Sequence, residues 1–536
     1  MIRAFFVALA IAALFHVGNA RVGAQAPPPL GFFQNYFVTG DYVVGGVGLS
    51  DTGGAGKITV SGVPSGADVL AAFLYWQVVA DRNAPTAGSV GATFRGNPLS
   101  STDGPFAKSL GPGTYACPLS GGTSTRLTFG YRADVLRYFD VDGSTGKQSV
   151  NGRHAVTIPK GSLVQPLGAS LVIVYRDPDP AAPLKAVVLY DGEYSMNAST
   201  GGIAQTIGGF YDATPGPARL TAIVGSAQKL LSENLRFNGS LLATNALRSS
   251  AGGQWDNPTF GVATPAPPAG GVTSQVTISG DYEGIPVEDC LSWAAVVYST
   301  EVEDTDGDGL LDVWEESATP LTDPNGATLP HLSAMGASST QRDLFIEIGY
   351  MQTAVPTTYG TELKAEHSHL PGHEALKLVG DAFDRQGIRV HFDVGENYPS
   401  GDAEPYVIRG AGLARGGEAI DESVTVCTRL PGDPPWVCQF SAYPGTVGWK
   451  SGYRFLRDEV LDISPAPPAP LPAGVEPEDY CDVPGYTCVR RFDESRHDMF
   501  YYALFAHQLG LPTSEFPCLN GQTPVPGDAN DACTGV

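Results

Sequence analysis

Between Asp304 and Glu315 the chain reads DTDGDGLLDVWE, a spacing that gathers oxygen atoms. Asp304, Asp306 and Asp308 stand at places 1, 3 and 5 of this stretch, Gly309 at 6, Asp312 at 9 and Glu315 at 12. The stretch fits the pattern D-x-[DN]-x-[DN]-G-x5-E throughout, the arrangement by which a single loop wraps a hard divalent cation. Calcium takes roughly six to eight oxygen ligands, and the loop can supply them alone or with a water. Leu310 offers its backbone carbonyl, Asp312 reaches the ion through water, and Glu315 closes the site with both oxygens. Between Glu301 and Glu316 there are eight acidic side chains and no lysine or arginine. Carboxylates so crowded repel one another unless a cation sits among them. The alternative is a solvated acidic linker, which rarely places both the glycine and the closing glutamate correctly.

The elements that position this loop are unequal. Leu291 to Val302 (LSWAAVVYSTEV) read as a strand, whereas the exit reads as a helix with Leu311, Trp314 and Ala318 on one face before Pro320 ends it. One strand in and one helix out differ from a paired EF-hand. The loop resembles the thrombospondin type 3 and dockerin style of calcium site, which implies a structural ion and not a signalling one. A spacer with Pro320, Pro324, Gly326 and Pro330 follows.

The chain has 536 residues, enough for about three or four domains. Its formal charge of −24 argues against nucleic acid and anionic membrane as partners. It suits an extracellular protein that binds cations, with an extracellular protein or glycan as the expected partner. Residues 1–24 carry Arg3, an apolar run to about Val17 and small residues at Ala20 and Ala24, the pattern of a secretory signal peptide. No other segment is long and apolar enough to span a membrane. A secreted or cell-surface location follows. Eight cysteines suit that compartment. The expected pairs are Cys427–Cys438, Cys481–Cys488 and Cys518–Cys533 as local loops, with Cys117–Cys290 clamping the first domain. A zinc cluster competes, but the spacings are too wide for C-x2-C knuckles.

Gly and Pro make up about a fifth of the chain (66 and 43 residues) and punctuate apolar runs, as turns do in β-rich proteins. Leu70 to Ala80, Ala169 to Asp177 and Lys185 to Gly192 are such runs, and Ser274 to Gly280 alternates with Val276 and Ile278 on one face. GGVG near Gly45 reads as a turn, and GVATPAPPAGG near residue 265 as an irregular loop. Residues 31–302 are expected to form one large antiparallel β-sandwich or two small ones. GDYVVGGVGL, ITVSGVPSGADVLAAFLYW and GASLVIVYRD…VVLYDG resemble a β-sandwich domain of bacterial secreted proteins, which implies a fold and a location but no chemistry.

Beyond the linker (303–330), the pattern changes. Asp343 to Met351 read as a buried strand. A helix follows Pro371 and Gly372, with Leu376, Val379 and Phe383 on one face and Gly387 as its stop. Ile388 to Gly395 alternate, Ile388, Val390, Phe392 and Val394 pointing one way and Arg389, His391 and Asp393 the other. These pieces predict a βαβ unit with a parallel pair. The segment Asp498 to Gly510 is apolar on both faces and ambiguous between strand and helix. The predicted fold class is therefore multidomain, mainly β (antiparallel β-sandwich), followed by an α/β domain at 331–536.

LSAMGAS before DLFIEIGYM, then ALKLVGDAFDRQGIRVHFDVG and MFYYALFAH, resemble the opening half of bacterial secreted metallopeptidase-like proteins of the zincin kind. The resemblance implies a zinc helix with HExxH, two histidines one turn apart and a glutamate that activates water. Here the nearest stretch is His373-Glu374-Ala375-Leu376-Lys377, where Lys377 replaces the second histidine. Zn2+ is expected only if a missing C-terminal segment exists. The abrupt ending in DANDACTGV favours truncation over a shortened, non-catalytic relative. His367, His369, His373, His391, His497 and His507 remain as metal-ligand candidates, set against exposed or supporting roles. No G-x-S-x-G elbow, Walker loop or dinucleotide fingerprint is present, and no catalytic residue is assigned. Two functions follow as expectations: a calcium-binding relative of extracellular metallopeptidases without its zinc site, or a non-catalytic binding or adhesion protein with a calcium-rigidified joint.

Overall fold

In the computed structural model, residues 29–506 are described except for internal stretches, the longest being 114–125, 279–289, 429–436 and 441–452. The signal peptide, Cys117, His507, Cys518, Cys533 and the DANDACTGV ending lie outside the described residues, as do residues 266–271 of the loop expected near 265.

Ten strands build the centre of the first region: β1 Gly31–Val38, β2 Gly40–Gly48, β3 Asp68–Asp81, β4 Ala107–Pro112, β5 Arg126–Asp134, β6 Val164–Arg176, β7 Lys185–Asn197, β8 Ala213–Gly225, β9 Thr259–Thr264 and β10 Cys290–Val302. One sheet runs β1-β7-β10-β8, with β9 beyond β8, and the other runs β2-β6-β3-β5-β4; every pairing is antiparallel. Between them lie Tyr42, Phe73, Tyr75, Val172 and Val174 from one sheet and Val187, Leu189, Ile223 and Val297 from the other. This is the expected β-sandwich.

Each sheet is also covered on its far side. Leu74, Trp76, Leu171 and Ile173 pack on Ile58, Val60, Phe94 and Val156 of a small four-stranded sheet. Val188, Tyr190, Leu220, Val296 and Tyr298 pack on Ile203, Ile207, Leu235 and Phe237 of another. Four layers result, with the two long sheets inside. That is why β3, β6, β7 and β10 are continuous apolar runs and not alternating ones. Because β1 and β10 share a sheet, residues 31–302 form one stack.

GGVG near Gly45 is not a turn but the second half of β2. A Cβ on Gly45 would stand 2.2 Å from the Thr59 carbonyl oxygen, and one on Gly48 1.7 Å from that of Gly252. Close approach of neighbouring backbone, not a reversal of direction, demands these glycines.

The chain then passes through α1 Asp312–Glu316 and α2 Leu332–Met335 into a second sheet: β11 Arg342–Thr353, α3 His373–Asp384, β12 Ile388–Asp393, β13 Glu418–Asp421 and β14 Phe500–Phe505. β12, β13 and β14 all run parallel to β11. β11, α3 and β12 make the predicted βαβ unit, and within the ambiguous Asp498 to Gly510 segment Phe500–Phe505 are a strand. Two details differ from expectation. The helix buries Leu376 and Gly380, while Val379 is 41 % exposed. A Cβ on Gly380 would meet the Tyr406 ring at 2.4 Å, so the glycine lets that ring lie on the helix. Helix α1 stops at Glu316, which leaves Ala318 exposed and outside it. Cys481 and Cys488 are disulfide-bonded, Cys427 and Cys438 stand opposite each other in a two-stranded ladder, and Cys290 is disulfide-bonded.

Candidate metal centre

The acidic loop lies where the two regions meet. Leu310, Leu311 and Trp314 are buried in the cluster that contains Val188 and Tyr298 on one side and Leu332, Phe345 and Phe500 on the other. The Trp314 ring meets Phe37 of β1 at 4.7 Å and Tyr211 at 5.6 Å between centroids. Burying a Leu- or Phe-sized side chain contributes about 1.5–3 kcal/mol, so these residues fix the second half of the loop to packed surface.

Within the loop, Gly307 and Gly309 have φ of 75° and 96°, a left-handed conformation that suits glycine and produces the sharp turn at place 6. Asp304 Oδ1 accepts the N–H groups of Gly307 (2.9 Å) and Asp308 (3.2 Å), and its Oδ2 accepts that of Gly309 (3.1 Å). Asp308 Oδ1 accepts the Leu310 N–H at 2.7 Å. Asp304, Asp306 and Asp308 thus each bring an oxygen within 4.8 Å of the others.

A second triad shares Asp308. One of its oxygens lies within 4.8 Å of one oxygen each of Glu315 and Asp343. Asp343 is the second residue of β11 and escapes any local pattern, since it stands 35 residues beyond Asp308. Its N–H donates to Asp308 Oδ2 at 2.6 Å. Glu315 is 2 % exposed, and neither of its carboxylate oxygens has a hydrogen-bond partner. Burial first, then repulsion by Asp308, Asp306, Asp343 and Asp312, pushes its carboxyl up to about 9. Burial likewise pushes Asp308 up to about 6, although the Asp343 and Leu310 N–H groups oppose the shift. Asp306 is raised by burial and by Asp304, and its Oδ2 is also buried without a partner.

Asp312 does something else. Its Oδ1 accepts the Thr305 N–H at 2.7 Å and its Oδ2 the Thr305 hydroxyl at 2.5 Å, so both oxygens serve to close the loop. Leu310, expected to offer its carbonyl, buries its side chain in the apolar cluster.

The candidate histidines scatter. His391 Nε2 donates to Asp343 Oδ1 at 2.6 Å, and its ring stacks on Phe345 at 4.3 Å. The His367 and His369 rings meet at 5.0 Å. His373 packs on Tyr398, and His497 on Phe492. Lys377 pairs with Asp381 one turn on at 2.6 Å. Among the described residues, the groups of metal-ligand type that converge are the two carboxylate triads. Their chemistry is that of hard oxygen donors, which suit calcium, magnesium or manganese and not a zinc site of histidines.

No family model matches the chain, and no curated protein matches it. Among solved structures, "The 2.6A structure of Infectious Bursal Virus Derived T=1 Particles" aligns with 52 % of this chain and 72 % of that one, at 10 % identity and a TM-score of 0.15. No helix among the described residues is long and apolar enough to cross a membrane.

Proposed function

We propose that this is an exported, multidomain protein in which a structural calcium ion stiffens the joint between a β-sandwich and a metallopeptidase-like α/β module. The observation that carries the reading is the Glu315 carboxylate, buried with both oxygens unpartnered and facing other carboxylates. A buried ionised group needs a partner of opposite charge, and among the described residues no lysine or arginine reaches this one. A divalent cation supplies that partner. Calcium is favoured over magnesium because it accepts a bidentate glutamate and many carboxylates in flexible geometry, whereas magnesium keeps most of its waters. The relation to metallopeptidases rests on the sequence resemblance of DLFIEIGYM, ALKLVGDAFDRQGIRVHFDVG and MFYYALFAH, and the βαβ unit and β14 support it. The HExxH motif is not among the residues that carry this relation, Lys377 standing where its second histidine would be.

Titration of calcium into the chelator-stripped full chain tests the reading. Saturable binding is expected, with a Kd at or below the range of about 10⁻⁴–10⁻³ M found for extracellular modules. Binding should be lost in a variant carrying both Asp308→Ala and Glu315→Ala. Absence of saturable binding by the unaltered chain defeats the proposal.

A further inference from the structure

The cation site reaches beyond its own loop. Oxygens around one calcium ion sit about 2.3–2.6 Å from it, so any two of them are at most about 5 Å apart. Asp308, Glu315 and Asp343 meet that limit, with oxygens within 4.8 Å of one another. Asp312, the loop's own ninth residue, belongs to neither carboxylate triad, and its oxygens turn to Thr305.

Asp343 is also held in place for such a role. It is 5 % exposed. Its N–H is fixed on Asp308 Oδ2, its Oδ2 accepts the Ser338 N–H at 2.9 Å, and its Oδ1 meets His391 Nε2 at 2.6 Å. Each carboxylate oxygen has two lone-pair directions, so one remains on each for a cation. His391 is in turn clamped by its stack on Phe345. A ligand carboxylate oriented by a hydrogen-bonded neighbour is the usual construction of a metal site's outer layer.

We propose that Asp343 is a calcium ligand contributed by the parallel sheet, replacing Asp312, so that one ion is held jointly by the loop after the sandwich and by the start of β11. This rests on the calcium reading of the loop and adds what the ion does there: it ties two regions of the molecule together. His391 acts as a positioning residue for Asp343.

The test measures calcium affinity of the full chain by titration calorimetry for three variants. Asp343→Asn keeps an oxygen for His391 and should weaken binding by about tenfold or more, the scale seen when even supporting groups of metal sites are changed. Asp312→Asn should weaken it by less than Asp343→Asn does. Glu315→Gln should weaken it at least as much as Asp343→Asn. An independent measurement uses the unaltered protein: calcium should slow amide hydrogen exchange in peptides covering 338–347 as well as in those covering 304–316. Unchanged affinity in Asp343→Asn, or protection confined to 304–316, overturns the assignment of Asp343 while leaving the loop reading intact. No binding by the unaltered chain defeats both.

Discussion

Asp343 and Glu347 lie on the same face of β11, four residues apart, and each belongs to a set of buried carboxylates. The two sets meet the same electrostatic problem in different ways. Glu347 stands beside Asp393 in the β11–β12 register, and Arg496, itself 2 % exposed, bonds both of them. The arginine also donates to the Leu413 carbonyl at 2.9 Å and lies over the Phe500 ring at 4.3 Å. Asp393 accepts further N–H groups from Gly395, Arg415 and Gly416. Among the described residues, the set around Glu315 has no arginine and leaves both Glu315 oxygens without donors. Two like charges at 4 Å repel by about 4 kcal/mol at an effective dielectric of 20. The first set carries its counter-charge in the chain; under the calcium proposal the second takes one from solution. The pair teaches that a neighbouring, satisfied carboxylate set is the proper control for an unsatisfied one.

The largest expected effect breaks the satisfied set. Arg496→Ala leaves Glu347 and Asp393 buried without their cation and should cost about 3–5 kcal/mol, as removal of one partner from a buried ion pair does. Denaturant unfolding should show the same loss with calcium and with chelator. A loss that appears only when calcium is present would mean that the two sets are not independent. Next in size is removal of calcium from the unaltered protein. Stabilisation at about a hundred times Kd is about 2.7 kcal/mol, and chelation should abolish it. Chelation should also expose residues 303–320 to proteolysis, as should Asp308→Ala with Glu315→Ala when calcium is present. Equal cleavage with and without calcium would remove the distinction between the two sets.

How much of this was legible in the sequence depends on how local each contact is. Asp304 to Glu315 stood out as a candidate because a metal loop is a spacing within one stretch of chain, and the positive φ values of Gly307 and Gly309 show the sharp turn that spacing predicts. Asp343 could not be read, because it reaches Asp308 only through the packing of β11. The one signal available was an aspartate opening an apolar strand. Arg496 was invisible for the same reason, its partners lying 149 and 103 residues away. The strands of the sandwich were legible as apolar runs, but the four-layer stack was not, since a run says that both faces are covered without saying by what. The face of α3 was misjudged at Val379 because hydrophobic spacing cannot foresee that Tyr406 lies on Gly380. The segment at β14 was ambiguous because Phe500 and Tyr502 are buried while Tyr501, between them, is exposed yet aromatic.

The smallest effect is a pH dependence that, above about pH 7, should be carried by one of these two sets. Without a cation, Glu315 is raised to about 9, by burial before repulsion, and Asp308 to about 6. In the unfolded chain both titrate near about 4. The folded, calcium-free protein therefore holds these protons more tightly than the unfolded chain does. Their contribution to stability is complete below about pH 4 and is lost as pH rises, first through about 6 and then through about 9. The calcium-free protein should lose transition temperature from pH 5 to 9, and the calcium-bound protein should lose less, because the ion replaces the protons. At pH 7, binding should release about one proton, seen as a calorimetric heat that changes with the ionisation enthalpy of the buffer. Glu315→Gln carries no titrating group at that position, so its calcium-free form should lack the part of the fall between pH 6 and 9. If that part persists unchanged in the variant, the titrating group is not Glu315, and the contrast must be redrawn around Glu347, which burial also raises, to about 7, against the pull of Arg496.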